Sequence, residues 1–527
     1  MTATASVEVR RSTRSGAVGL AGAAANGALG FVLTTVIVRT LGASGSGALF
    51  AVIGVVSIVG AVCCLGADTG LMWALPRRRP GPGGDAARLL ATAVLPTVGV
   101  AALVAVAGYL AAPTVAGLLF DGGAGDGGAG HGGAGDDGAA VLRLAFAGVP
   151  VIVLSTVLLA AVRATRAIGA YVGVQFLLVP MARPLLIGAA VTLGGGVVGG
   201  GILGGGVLAA FAGWLLPVAV ATVIALVLVV GPLGLLAGAT LRPTRADWRT
   251  FWAFALPRAA SVAIDASSMW VGVLLTAALA GQSEAGVFGA VGRYVLAGLL
   301  VMQGLRVAVA PQLSRLLGAD RRAEAVEVYR RTTLWIVVLS WPAYLLLAVF
   351  APAFLHLFGA QFRAGATPMA VLAVAMAVNV GVGLVQTVLL MSGNSRRHLV
   401  ATVVGLALNV AAGVVLIPRH GALGAAVAWS LGIVAENTIA AVYARRALGR
   451  PLLAPRSAWA AATVVAATTA ASVVGVAVAG RDLPGLAVTL GVLATGGVAL
   501  LGSRRVRAAV SDVRGRLRPE AIREVPS

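Results

Sequence analysis

Along this chain, apolar runs of about 20 residues alternate with short stretches rich in arginine, glycine and aspartate. An α-helix needs a run of about that length to cross a bilayer. The pattern predicts fourteen spans, over residues 16–38, 47–75, 89–112, 140–162, 168–192, 206–230, 254–280, 286–310, 333–355, 367–392, 399–417, 422–444, 457–479 and 485–502. No polar stretch between them is long enough to hold a soluble catalytic domain. The expected fold class is an all-α polytopic membrane protein.

The arginines orient the spans. With the N-terminus placed in the cytoplasm, thirty of the 39 basic residues fall in inner segments. Five fall outside, at Arg39, Arg143, Arg363, Arg419 and Arg481, and four are embedded, at Arg183, Arg258, Arg293 and Arg306. Such an excess on one side is the signature that sets topology, and it alternates at every loop. A multi-pass protein of the plasma membrane with both termini in the cytoplasm is expected.

Composition sharpens this picture. The chain is 59% hydrophobic and 11% charged, with a mean hydropathy of +0.98. A soluble domain carries about 25% charged residues. A net charge of +21 would by itself suggest nucleic acid. Here the arginines sit in short loops between spans, so no nucleic-acid partner is expected and membrane lipids are. The basic tail Ser503 to Ser527 is expected to lie along an anionic inner surface. Every basic residue is arginine and Ala, Gly and Val are in excess, a bias of composition rather than of chemistry. The adjacent Cys63 and Cys64 read as packing residues, and the Gly/Ala/Asp stretch Asp121 to Gly138 as a flexible outer linker. With no phosphate-binding loop and no His/Asp/Glu cluster at ligand spacing, neither ATP hydrolysis nor a cofactor or metal is expected.

The candidate chemistry lies in the charges at membrane depth, which are costly and usually functional. Arg258 and Asp265 are seven residues apart and share a helix face. Arg306, on the antiparallel neighbour, is expected at the depth of Arg258, and Arg293 in the outer third. Together they predict a ladder of positive charge along one hairpin, suited to a phosphate-bearing substrate because guanidinium grips phosphate through two bonds at once. Arg258 and Arg306 equally suit snorkelling to the inner interface, and Asp265 suits an internal counter-ion to Arg293. Arg183 lies between Pro180 and Pro184, which are expected to break the fifth span. Asp68 and Glu436 are the other buried acids, readable as coupling-ion sites or as structural groups.

Three places in the chain carry a family resemblance. The first is Val38-Arg39-Thr40-Leu41-Gly42 through Gly47, followed by Ala67-Asp68-Thr69-Gly70-Leu71. The second is Ala280-Gly281 through Gly286-Val287-Phe288, then Arg293 and Ala310-Pro311-Gln312-Leu313. The third is Met391-Ser392-Gly393-Asn394, Leu408-Asn409-Val410, Ile417-Pro418-Arg419-His420-Gly421 and Leu423-Gly424-Ala425-Ala426. The first two share a Gly-x4-Gly outer turn six spans apart, a faint internal repeat. The chain resembles the polysaccharide flippases of the multidrug/oligosaccharidyl-lipid/polysaccharide (MOP) exporter superfamily.

That resemblance implies a MATE-like architecture of two six-helix lobes around a central cavity: an N-lobe over 1–235, a C-lobe over 236–450, two extra helices over 451–502 and a basic tail over 503–527. It implies alternating access and export of an undecaprenyl-pyrophosphate-linked glycan for cell-surface polysaccharide or lipopolysaccharide biosynthesis. Arg183, Arg258, Arg293 and Arg306 would bind the substrate, with glycan polymerase and glycosyltransferases as partners. Many family members carry an Asp late in the seventh helix, where this chain has Met269-Trp270-Val271-Gly272. Two other readings stand beside the flippase: a drug or cation antiporter of the same superfamily, and an integral-membrane glycan polymerase or ligase. The first would favour an acidic cavity and the second a large catalytic loop.

Overall fold

The computed structural model describes residues 3–77, 85–120, 134–166, 168–194, 206–231, 242–452 and 455–502. The Gly/Asp stretch expected to be an outer linker, apart from residues 134–138, the glycine run after 194 and the basic tail after 502 therefore lie outside the described residues. What is described is almost entirely helical. The first half comprises α1 (Ala3–Cys63), α2 (Ala67–Ala74), α3 (Asp85–Phe120), α4 (Ala134–Thr165), α5 (Ile168–Val172), α6 (Val179–Gly194) and α7 (Val207–Val230). The second comprises α8 (Arg245–Ala280), α9 (Gln282–Ala297), α10 (Leu300–Gly318), α11 (Arg322–Val349), α12 (Ala351–His356), α13 (Ala366–Val382), α14 (Val385–Met391) and α15 (Ser395–Leu448). Two further helices follow, α16 (Pro455–Ala479) and α17 (Leu483–Gly502).

Among the described residues, nine helices are long and apolar enough to cross a membrane, or up to 11 if each of two bent pairs is one span. Two of the nine hold two predicted spans each. α1 leaves helical geometry at Gly42 and α15 at Gly421. The two bent pairs are the halves of α8, which meet at 49° around residue 269, and α9 with the start of α10, which meet at 46°. At the second bend the Tyr344 hydroxyl donates to the Val295 carbonyl at 3.0 Å, while the Leu299 amide turns instead to Leu296. A backbone acceptor released by a bend has no water to turn to in a bilayer, so a neighbouring side chain takes its place.

The two halves meet through their repeated glycine turns. Gly42 and Gly281 have φ of 69° and 90°, a region open to glycine without steric cost. Five residues on, Gly47 and Gly286 let α1 and α9 come together backbone to backbone. A Cβ on Gly47 would stand 1.8 Å from the Gln282 carbonyl oxygen, and one on Gly286 2.0 Å from that of Ala43. The faint sequence repeat is thus a physical pair, each copy packed on the other. Nearby, Arg39 donates to the Leu357 carbonyl at 2.7 Å and the Gln282 amide donates to the Leu119 carbonyl. These contacts join the halves at the turn within α1 and at the start of α9.

The other end of α8 packs differently. Phe251, Trp252 and Ala255 are buried in a core with Leu71, Leu89, Val162 and Ala225 of the first half. The second part of α8 packs on α1 and α15, with Trp270 and Leu274 beside Gly54 and Leu275 beside Gly413. α16 packs on α17 and on α11, and α17 touches α12; none of the residues lining the central cavity comes from either.

The turn at Gly421 is held from a distance. Glu284, at the start of α9, accepts from the Ala422 amide at 2.7 Å. It thereby satisfies a donor at a helix start with a charge of favourable sign. Glu284→Ala is expected to lower stability by about 1–2 kcal/mol and Glu284→Gln by less, because the amide keeps an acceptor. Thermal unfolding of the purified variants, followed by tryptophan fluorescence, measures this; equal melting of Glu284→Ala and the parent would refute it.

Candidate functional site

A cavity of about 390 Å³ lies between the two halves, walled by α1, α6, α7, α8, α9 and α10. Its polar lining includes Asn26, Thr34 and Ser57 from α1, and its charge comes from Arg183 and Arg293. The break expected at Pro180 and Pro184 does not occur in the helix that carries Arg183. Residues 173–178 widen into a π-helical turn and the span runs on through Pro180 and Pro184. Proline removes a backbone donor and crowds the preceding turn. A single wide turn absorbs both effects and changes where the following side chains point.

Each arginine is seated on a tryptophan. The Arg183 guanidinium carbon lies 4.1 Å from the centroid of Trp214 on α7, and its Nε donates to the Trp214 carbonyl at 3.3 Å. The Arg293 guanidinium carbon lies 5.5 Å from the centroid of Trp270 on α8. A cation over an indole face is stabilised by about 2 kcal/mol when desolvated, which offsets part of the cost of charge at depth. Among the described residues neither guanidinium has a carboxylate partner, and the cavity lining contains none. Among the described residues no carboxylate takes up the donors on the guanidinium edges. A smaller recess shares Trp270 and Arg293 and reaches Asn409 and Trp429 on α15, and among the described residues no carboxylate lines it.

The other predicted residues sit elsewhere. Arg258 is exposed on the first half of α8 and Arg306 is half-buried on α10, and neither is among the residues lining this cavity. The ladder expected along one hairpin is therefore not what lines it; the charges that meet come from opposite halves. The bend in α8 and the docking of its first part on the first-half core turn Arg258 away. The side chain of Asp265 lies outside the described residues. Asp68 lines a separate cavity of about 120 Å³ with Arg163, Tyr171 and Gln175. Glu436 accepts from Gln386 at 2.9 Å and from Thr402 at 3.0 Å, and Thr402 lies 3.4 Å from His398 Nδ1.

Sequence reasoning missed Trp214 and Trp270. A signal was present, since both fall within an apolar span rather than at its ends, where membrane tryptophans concentrate. Among the described residues, no group of three or more His, Cys, Asp or Glu side chains could hold a metal ion.

The helices, with their paired glycine turns and a cavity between the two halves, form a fold similar to that of MOP-superfamily transporters. Residues 257–415, from α8 into the first part of α15, match the MatE family model. The fold is similar to that of the lipid II flippase MurJ in an inward closed conformation, with a TM-score of 0.68 and 11% identity over 90% of this chain and 98% of that one. It is similar to a multidrug resistance MATE family transporter of the MOP superfamily in an inward-facing conformation, with a TM-score of 0.61 and 16% identity over 80% and 94%. It is also similar to a MOP superfamily transporter from Pyrococcus furiosus, described as having a binding pocket of reverse polarity, with a TM-score of 0.52 and 16% identity over 83% and 95%. No curated protein sequence matches the chain. The MOP resemblance read from the sequence is borne out, and both the MurJ-type and the MATE-type branches share this fold.

Proposed function

We propose that this protein exports an anionic lipid-linked oligosaccharide, of the undecaprenyl-pyrophosphate type, from the cytoplasmic to the outer leaflet by alternating access. One observation carries the reading: the cavity presents two stacked guanidinium groups, one from each half, and among the described residues no carboxylate lines it. Guanidinium binds phosphate oxygens through paired hydrogen bonds. A cationic drug would meet repulsion there, which argues against the MATE-type drug antiporter. Among the described residues no acid–base pair lines the cavity to support the polymerase or ligase reading, and transport is the function proposed. The arginine distribution supports a plasma-membrane protein with cytoplasmic termini. Arg258 and Arg306 suit the membrane interface, while Asp68 and Glu436 suit ion coupling. Glycosyltransferases and a glycan polymerase would act before and after export.

Proteoliposomes test the substrate class. A fluorescent undecaprenyl-pyrophosphoryl sugar, loaded in one leaflet, is expected to reach the other faster with the protein than without it. Efflux of the cation ethidium from the same vesicles is expected to match the empty control. Ethidium efflux with no movement of the pyrophosphate lipid would reverse the assignment.

A further inference from the structure

The C-terminal end of α15 carries a second basic site, far along the chain from the central cavity. Arg445, Arg446 and Arg450 surround a cavity of about 400 Å³. It opens into a largely apolar groove of about 430 Å³, lined by Tyr329, Val382, Ala441 and Leu452. The two share Val442, Arg445 and Pro451, so they form one continuous slot with a charged mouth and an oily floor. All three arginines are exposed, and among the described residues no carboxylate lines either part.

The surrounding residues hold this shape. Arg330 of α11 is already engaged, donating to the carbonyls of Pro451 at 2.7 Å and Leu452 at 3.3 Å, which fixes the segment closing the groove. The Tyr329 hydroxyl donates to the Val382 carbonyl, so its ring presents an apolar face with its polar end satisfied. Gly449, in the left-handed region, donates its amide to the Arg445 carbonyl and ends α15 at the cavity. A helix C-terminus carries roughly half a negative charge, which three guanidinium groups outweigh. Arginine in the last turn suits that helix end by itself, but an adjoining apolar groove is not needed for it.

We propose that this slot binds one anionic phospholipid, its phosphate among Arg445, Arg446 and Arg450 and one acyl chain along the groove past Val442. The occupant is chosen by complementarity: the mouth needs negative charge, the groove needs hydrocarbon, and the bilayer supplies both in one molecule. The site is independent of the cavity that holds Arg183 and Arg293.

Native mass spectrometry of the full chain, released from vesicles of phosphatidylcholine and phosphatidylglycerol, tests the site by counting retained phosphatidylglycerol. Arg445→Gln with Arg450→Gln is expected to reduce retention by about thirtyfold, about fivefold for each arginine near an anionic leaflet. Val442→Trp, at a position 44% exposed, fills the groove while keeping every charge and is expected to reduce retention comparably. Arg315→Gln with Arg396→Gln removes the same charge from exposed positions elsewhere and is expected to leave retention within twofold of the parent. Equal losses in that control pair would mean diffuse attraction and overturn the site. Loss on arginine removal but not with Val442→Trp would mean a phosphate site without a lipid slot, and would overturn it too. Matching melting temperatures across the variants exclude misfolding as the cause.

Discussion

Arg183→Ala combined with Arg293→Ala is expected to abolish export of the pyrophosphate lipid while the protein still inserts and folds. Each guanidinium would supply charge-assisted hydrogen bonds to the substrate, and losing a bond to a charged group costs about 1.5–3 kcal/mol. That is roughly a ten- to 150-fold loss for each arginine. The double variant should therefore lose about two to four orders of magnitude in affinity if the losses add. Folding should survive, because among the described residues neither arginine has a carboxylate that its removal would orphan. Arg293→Lys should recover only part of the activity, since ammonium lacks the paired donors and stacks less well on Trp270. Surface polysaccharide, membrane expression and pyrophosphate-lipid binding read these effects separately. Full export by the double variant at normal expression would remove the arginines from the binding site. If Asp265 instead neutralises Arg293, the pair Arg293→Ala with Asp265→Ala should restore what Arg293→Ala lost.

Gly47→Ala is the second change with a large expected effect. Its methyl group would lie 1.8 Å from the Gln282 carbonyl oxygen and 2.7 Å from the Gly286 amide nitrogen. Both are backbone atoms, so no side chain can turn aside. α1 and α9 would have to separate where the two halves meet. Overpacking typically costs about 1–3 kcal/mol, and helix contacts in membranes depend on small residues at the crossing. Loss of export with lowered thermal stability is expected. Gly99→Ala is the control, because a Cβ there meets nothing within 4 Å; in a helix it should be neutral or stabilise by about 0.5–1 kcal/mol. Parent-like melting and export of Gly47→Ala would show that the close approach is dispensable.

Much of this architecture is legible in the sequence. The spans are set by the length of apolar sequence a bilayer demands, and that is a local property. The turns at Gly42 and Gly281 announced themselves by repeated spacing, although only their packing explains why Gly47 and Gly286 follow five residues on. Individual buried charges were also visible, because an arginine such as Arg293 stands out in a run of Ala, Val and Leu.

Which charges share a cavity was decided elsewhere. A rise of fixed length per residue places Arg258 and Arg306 at one depth only if α8, α9 and α10 are straight. They bend by 49° and 46°, and the first part of α8 joins the core of the other half through Phe251, Trp252 and Ala255. Arg183 reaches the cavity through a π-helical turn that no hydropathy pattern encodes. Its partner across the space, Arg293, is separated from it by the whole of α7 and α8. The sequence by itself determined that the chain forms long apolar helices, because apolar length acts residue by residue. Only the tertiary structure decided that Arg183 on Trp214 faces the same cavity as Arg293 on Trp270, because helix bends and lobe packing are set by contacts between segments distant in the chain.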